Sequence, residues 1–155
     1  MSLRDLAKPD RNKPKPKKKF RKLTRKQVRA IKKRGYDAER EIVGMLRDEG
    51  YDALRIPVSA PSSEPLPDVF AIKDDAILAL EVKSMERYAY YKRDQVSKLE
   101  EFLEIHKIYP RRFAVLAGKF KYKGWWFKIA DKLGDYTIKV DDGMSWEEFL
   151  RKISL

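Results

Sequence analysis

The sequence predicts an α/β chain of the α+β kind, with elements in the order α-β-β-β-α-β-β. Three observations carry this. A helical pattern begins near Thr24, two strand-like runs flank only Asp74-Asp75, and a helix followed by two more strands starts near Arg93. At 155 residues and 43% hydrophobic content, the chain has material for one domain with a real core.

The first helix continues past Gly35 through residues 37–49 and stops at Gly50. Ile42, Val43 and Leu46 make its apolar stripe, and Glu39 lies three and four residues before the first two of them. One carboxylate therefore points inward. Residues 51–56 read as a first strand, followed by a proline- and serine-rich loop to Pro67 that excludes regular structure. Residues 67–73 and 76–83 are the next two strands. With Asp74-Asp75 as a two-residue turn, Lys73 faces Ala76, and counting back along both strands sets Asp68 opposite Glu81. Val69, Ala71, Leu78, Leu80 and Val82 then share one face, and Phe70, Ile72, Ile77 and Ala79 the other. Both strands look buried on both sides. Tyr88-Ala89-Tyr90-Tyr91 leads to a helix over 93–107 with Val96, Leu99, Phe102 and Leu103 inward. Residues 112–120 and 125–129 read as strands around a Lys-Gly turn, and Ser145-Trp146-Glu147-Glu148 is a capping-box start to a short last helix carrying Phe149, Leu150 and Ile153.

Chemistry concentrates on the hairpin. Opposed side chains on one face have Cβ atoms roughly 5 Å apart, and alternation puts Lys83 on the same face as Asp68 and Glu81. Two carboxylates this close repel unless a cation lies between them, a role that suits a hard divalent metal with oxygen ligands. The plainer alternative is that charges mark strand ends and form ordinary cross-strand pairs. Burial of the hairpin on both faces weighs against it, because buried charges are costly unless paired or bound to metal.

Composition narrows the classes further. The absence of cysteine removes disulfides, thiolate catalysis and cysteine-ligated zinc, and His106, the only histidine, falls late in a predicted helix as an ordinary helix-end residue. No run approaches the roughly 18 apolar residues of a membrane span, and no signal-peptide apolar core opens the chain. The expectation is a cytoplasmic protein with no membrane partner and no small-molecule cofactor. Charge is lopsided: residues 1–34 carry sixteen Lys and Arg against two acids, a net of +14, while the chain totals +12. Residues 1–30 are therefore expected to be a disordered basic arm that binds nucleic acid through its phosphates, with 31–155 the folded domain. A solubility tail, a membrane-surface patch and a targeting signal are the alternatives for the arm. No repeat and no GxxxxGK phosphate loop is present.

Pro67-Asp68, then Glu81-Val82-Lys83, preceded by a helical Glu39, resembles the PD-(D/E)xK nuclease signature. The wider pattern is similar to the archaeal Holliday junction resolvases over roughly residues 32–130. It comprises Arg34-Gly35, Ala38-Glu39-Arg40-Glu41, Arg55-Ile56-Pro57-Val58-Ser59, Glu81-Val82-Lys83-Ser84, the segment Tyr90 to Gln95, and Lys119 before the Gly-Trp turn. The segment after Ser59 departs from the family in lacking its glycine and lysines, and the basic arm lies outside the family core.

The resemblance implies a restriction-endonuclease-like core, a central mixed five-stranded sheet flanked by helices. It implies that Asp68 and Glu81, helped by Glu39, hold Mg²⁺ (with Mn²⁺ substituting), that Lys83 serves the attacking water or the transition state, and that Ser59 lies near the scissile phosphate. Arg40, Arg55, Lys119 and Arg93 match positions that contact DNA, and Arg40, Arg55 and Lys119 each have a salt-bridge alternative. Cutting a four-way junction twice implies a homodimer. Trp125, Trp126, Phe127 and Trp146 are candidates for its interface or, more commonly for tryptophan, for the core. Two other functions stay open: another nuclease of the same superfamily, and a non-catalytic DNA-binding protein on a nuclease-like core.

Overall fold

A computed structural model describes residues 21–57 and 63–154. Its elements in chain order are α1 (Arg25–Asp48), β1 (Asp52–Arg55), β2 (Val69–Lys73), β3 (Ala76–Met85), β4 (Tyr88–Tyr91), α2 (Arg93–Ile105), β5 (Arg111–Phe120), β6 (Gly124–Ile129), β7 (Tyr136–Lys139) and α3 (Trp146–Ser154). Five strands form one mixed sheet in the order β1-β2-β3-β5-β6. Only β3 and β5 run parallel, joined by the crossover through β4 and α2; the other pairs are antiparallel.

The central hairpin has the register the turn demands. Lys73 pairs with Ala76 and Val69 with Leu80, so Asp68 stands opposite Glu81, and Asp74 takes a φ of 52° to close the turn. Its alternation sorts the core into two layers. Val69, Ala71, Leu78, Leu80 and Val82 pack with Ile42, Leu46 and Ala38 of α1 and Phe149 and Ile153 of α3. Ile77 and Ala79 pack with Val96, Leu99, Phe102 and Leu103 of α2, with Phe70 and Ile72 against them. The sheet is thus covered on both faces, as its near-continuous apolar run requires.

α1 begins earlier than the arm's composition suggests. Thr24 caps it, its Oγ1 accepting from the Gln27 amide at 3.2 Å while Gln27 Oε1 accepts from the Thr24 amide at 2.9 Å. Residues 25–30, assigned above to a disordered arm, are therefore helical: the capping box starts the helix, and the charged side chains point into solvent without opposing it. The helix ends in a Schellman turn, with the Tyr51 amide bonding the Leu46 carbonyl and Gly50 at φ 86°. Residues 1–20 of the arm lie outside the described residues.

A second sheet of two strands was not expected from the sequence. β4 pairs with β7, Ala89 opposite Ile138, and both are fully buried over α2. Each strand has four residues, too short to carry a periodicity signal, and their pairing is decided by tertiary packing. The tryptophans serve the core: Phe127 is buried, Trp125 and Trp146 pack beside it, and Trp126 lies against the α2 layer. At the same place a Cβ on Gly143 would sit 2.7 Å from the Phe127 carbonyl oxygen. That carbonyl accepts from the Met144 amide. Gly143→Ala must force this bridge apart, so it is expected to cost about 2 kcal/mol, a fall in Tm of roughly 5 °C by thermal unfolding.

Candidate active site

The hairpin brings Asp68, Glu81 and Lys83 to one face at the open end of β2 and β3. Asp68 Oδ2 accepts from the Val82 amide at 2.9 Å, and the Asp68 amide donates to the Leu80 carbonyl at 3.0 Å, so β3 holds both its carboxyl and its backbone. The Glu81 carboxyl is hydrogen-bonded to Asp68. Burial raises the Glu81 pKa, and the neighbouring charge of Asp68 raises it further, to about 8. Burial also raises Asp68, against the opposing Val82 amide. Burial and mutual repulsion thus both favour a proton on the pair.

Lys83 lies beside the pair with its Nζ 5.5 Å from the centre of the Tyr91 ring. Two influences compete for its pKa. Burial lowers it and outweighs the two carboxylates, which raise it, so the amine is easier to deprotonate than a surface lysine. Tyr91 is itself fully buried, its hydroxyl donating to the Ala117 carbonyl at 2.6 Å. It forms a dry floor under the lysine.

Gln95 belongs to this site, and the sequence did not single it out. Its Nε2 donates to Glu81 Oε1 at 3.2 Å, while its Oε1 accepts from the Lys92 amide at 3.1 Å. The amide is thus oriented by the first turn of α2 and aims its donor at the carboxyl. A signal was available in the chain, since Gln95 stands at the third helical position, where a side chain reaches back to the cap. The start of α2 is also held by Asp135, whose Oδ1 accepts from the Arg93 amide at 2.7 Å.

Glu39 is buried on the α1 stripe and close enough for its charge to raise Glu81. It does not join the acid pair. Its Oε2 instead accepts from Arg55 Nε at 2.5 Å, and the Arg55 guanidinium lies 4.5 Å from the centre of the Tyr36 ring. Burial and the charge of Asp68 raise the Glu39 pKa in spite of this arginine. Among the described residues no three acids or histidines group as a metal site. The donor set of Asp68 and Glu81 nevertheless fits magnesium: the ligands are hard oxygens, the two half-buried carboxyls repel each other with Lys83 as the neighbouring cation, and magnesium keeps much of its water shell.

The cations expected at DNA divide. Arg40 is exposed, 3.5 Å from Asp37, and the Arg93 side chain is exposed at the start of α2. Lys119 pairs with Glu41, which also accepts from Trp125 Nε1 at 3.2 Å. Arg55 is held by Glu39 as described. Ser59 lies outside the described residues.

A mixed five-stranded sheet whose buried central hairpin ends in an acid pair and a lysine, with a helical glutamate alongside, defines a nuclease of the PD-(D/E)xK class. Known proteins then narrow the class. Residues 30–154 match the family described as archaeal Holliday junction resolvase (Hjc), and the chain belongs to that family. It is 40% identical over 119 residues to crossover junction endodeoxyribonuclease Hje of Saccharolobus islandicus, covering 76% of this chain and 87% of the relative. Hje of Saccharolobus solfataricus is 37% identical over the same shares. The solved structure of Archaeoglobus fulgidus Hjc, a Holliday junction resolvase, matches with a TM-score of 0.56 at 26% identity, over 69% of this chain and 89% of that one. The match confirms the sheet and its flanking helices. Among the described residues no helix is long and apolar enough to cross a membrane.

Proposed function

We propose that the protein is a structure-selective endodeoxyribonuclease that resolves four-way DNA junctions by hydrolysing phosphodiester bonds, acting with magnesium, or manganese in its place, as a homodimer on chromosomal DNA in the cytoplasm. The observation that carries this is the facing Asp68–Glu81 pair beside Lys83 in a chain of the resolvase family. When bound, magnesium supplies positive charge that acidifies a nearby water and stabilises the scissile phosphate in the transition state.

The chain's own residues do the rest. Asp68 and Glu81 would hold the cation, Asp68 locked by the Val82 amide and Glu81 by Gln95. Lys83, its pKa lowered by burial, is suited to exchange a proton with the attacking water and to lie against the developing charge. Tyr91 keeps bulk water from beneath it. Arg40 and Arg93, both exposed, would take phosphates, contacts that position DNA without reading its bases. Incubating the protein with labelled junction and matched duplex in magnesium tests the reading. Paired nicks in the junction alone are expected; equal cutting of both substrates, or of neither, refutes it.

The support for a homodimer is at the β1 edge. β1 ends the five-stranded sheet, Leu54 is 54% exposed there, and Phe70 and Ile72 beside it are only half-buried. An edge strand covered, among the described residues, only at Ala53, whose carbonyl accepts from the Arg47 guanidinium, and lying next to apolar side chains suits a second copy of the chain. Leu54→Arg is expected to weaken the dimer at least tenfold by analytical ultracentrifugation, the cost of placing a charge in an apolar contact. It should also convert paired cuts to single nicks, and a variant that stays dimeric would place the interface elsewhere.

A further inference from the structure

We propose that Tyr122 is a base-stacking contact that engages an exposed nucleobase at the branch point, with Lys121 and Lys123 holding the phosphates on either side. The inference rests on the junction reading above and adds a recognition element to it.

Tyr122 is at the tip of the β5–β6 hairpin and is 92% exposed. Its φ is 62°, a left-handed conformation that costs a bulky residue and suits glycine. Strain of this kind persists where packing repays it, yet this ring is almost wholly in solvent. Its one ring contact is with Lys121, whose Nζ lies 5.3 Å from the ring centre. An aromatic ring held in a strained turn, outside any core and between two lysines, has the composition of a nucleic-acid stacking platform.

The turn is braced, so the ring is presented from a fixed base. The Lys121 amide donates to the Met85 carbonyl at 3.1 Å and the Lys123 amide to the Phe120 carbonyl at 3.0 Å. The same strands lead back to the site: β5 places Gly118 beside Lys83 and Lys119 beside Ser84. From Gly118 the strand runs two residues more to Phe120, about 7 Å at 3.3 Å per residue, and the turn carrying Tyr122 starts there, within a few nucleotides of the site along a DNA strand. A continuous duplex offers no free base face there. A four-way junction offers one where its arms unstack at the point of strand exchange.

The full chain should be compared with Tyr122→Ala, Tyr122→Phe and Tyr122→Gly for binding to a junction carrying 2-aminopurine beside the branch point, to a matched duplex, and to a duplex with one unpaired 2-aminopurine. Tyr122→Ala and Tyr122→Gly are expected to lose about 5- to 100-fold in affinity for the junction and the unpaired base, the range of one base–aromatic stack, with duplex affinity changed less than about twofold. Tyr122→Phe should bind as wild type and give the same fluorescence change. Tyr122→Gly should melt no lower than wild type, which separates lost stacking from lost folding. If Tyr122→Ala binds the junction and the unpaired base as tightly as wild type, the stacking role is wrong while the junction reading stands. If wild type shows no preference for the junction, the junction reading fails, and the unpaired-base duplex alone then decides the stacking role.

Discussion

Glu81→Gln is expected to lower junction cleavage on the order of a thousandfold or more while leaving junction affinity within about twofold. Glutamine keeps the shape of the side chain and can keep its contacts with Gln95 and Asp68. What it removes is the second anionic ligand, so the cation is lost or misplaced while the phosphate-binding surface is unchanged. Gel-shift and cleavage assays on the same junction check both halves, and parallel loss of binding would show that Glu81 also shapes the DNA surface. The variant should also be the more stable protein without metal at alkaline pH, because it ends the repulsion between two half-buried carboxylates.

Stability of the metal-free protein should fall as pH rises through the window from 4.5 to about 8. In that window Glu81 is protonated in the fold and ionised in the unfolded chain. The native state then binds the extra proton, and stability declines with pH. One pKa unit corresponds to about 1.4 kcal/mol, so the full passage is worth a few kcal/mol. Lys83, lowered by burial, acts in the opposite sense nearer its own higher range. Magnesium should reverse the trend, since binding to the pair expels the proton it carries, and its affinity should rise up to about tenfold per pH unit until pH 8 is passed. Thermal unfolding with and without magnesium at about pH 5 and about pH 8.5 tests the sign. A metal-induced gain in Tm that is the same at both values would contradict it.

The hairpin was legible in the sequence because its geometry is local. Two Asp residues fix the turn, the turn fixes the register, and the register sets Asp68 opposite Glu81 without reference to anything distant. Glu39 was legible as buried, since helical spacing alone puts it on the stripe. Its partner was not fixed, because the Arg55 contact joins residues sixteen apart across a strand and a helix, and the sequence offered Arg55 equally to a phosphate. Gln95 and Tyr91 escaped for the same reason: each reaches the site only after the β3-to-β5 crossover folds α2 and β4 onto the sheet. The small β4–β7 sheet depends wholly on that crossover.

α1 is one unbroken helix of 24 residues, about 36 Å long at 1.5 Å per residue. Its apolar side chains enter the core from Ala38 onward, Tyr36 meets Arg55 just before it, and residues 25–34 are exposed and lined with lysine and arginine. The helix is half core and half projection, and Glu39, clasped by Arg55, stands at the boundary between the two.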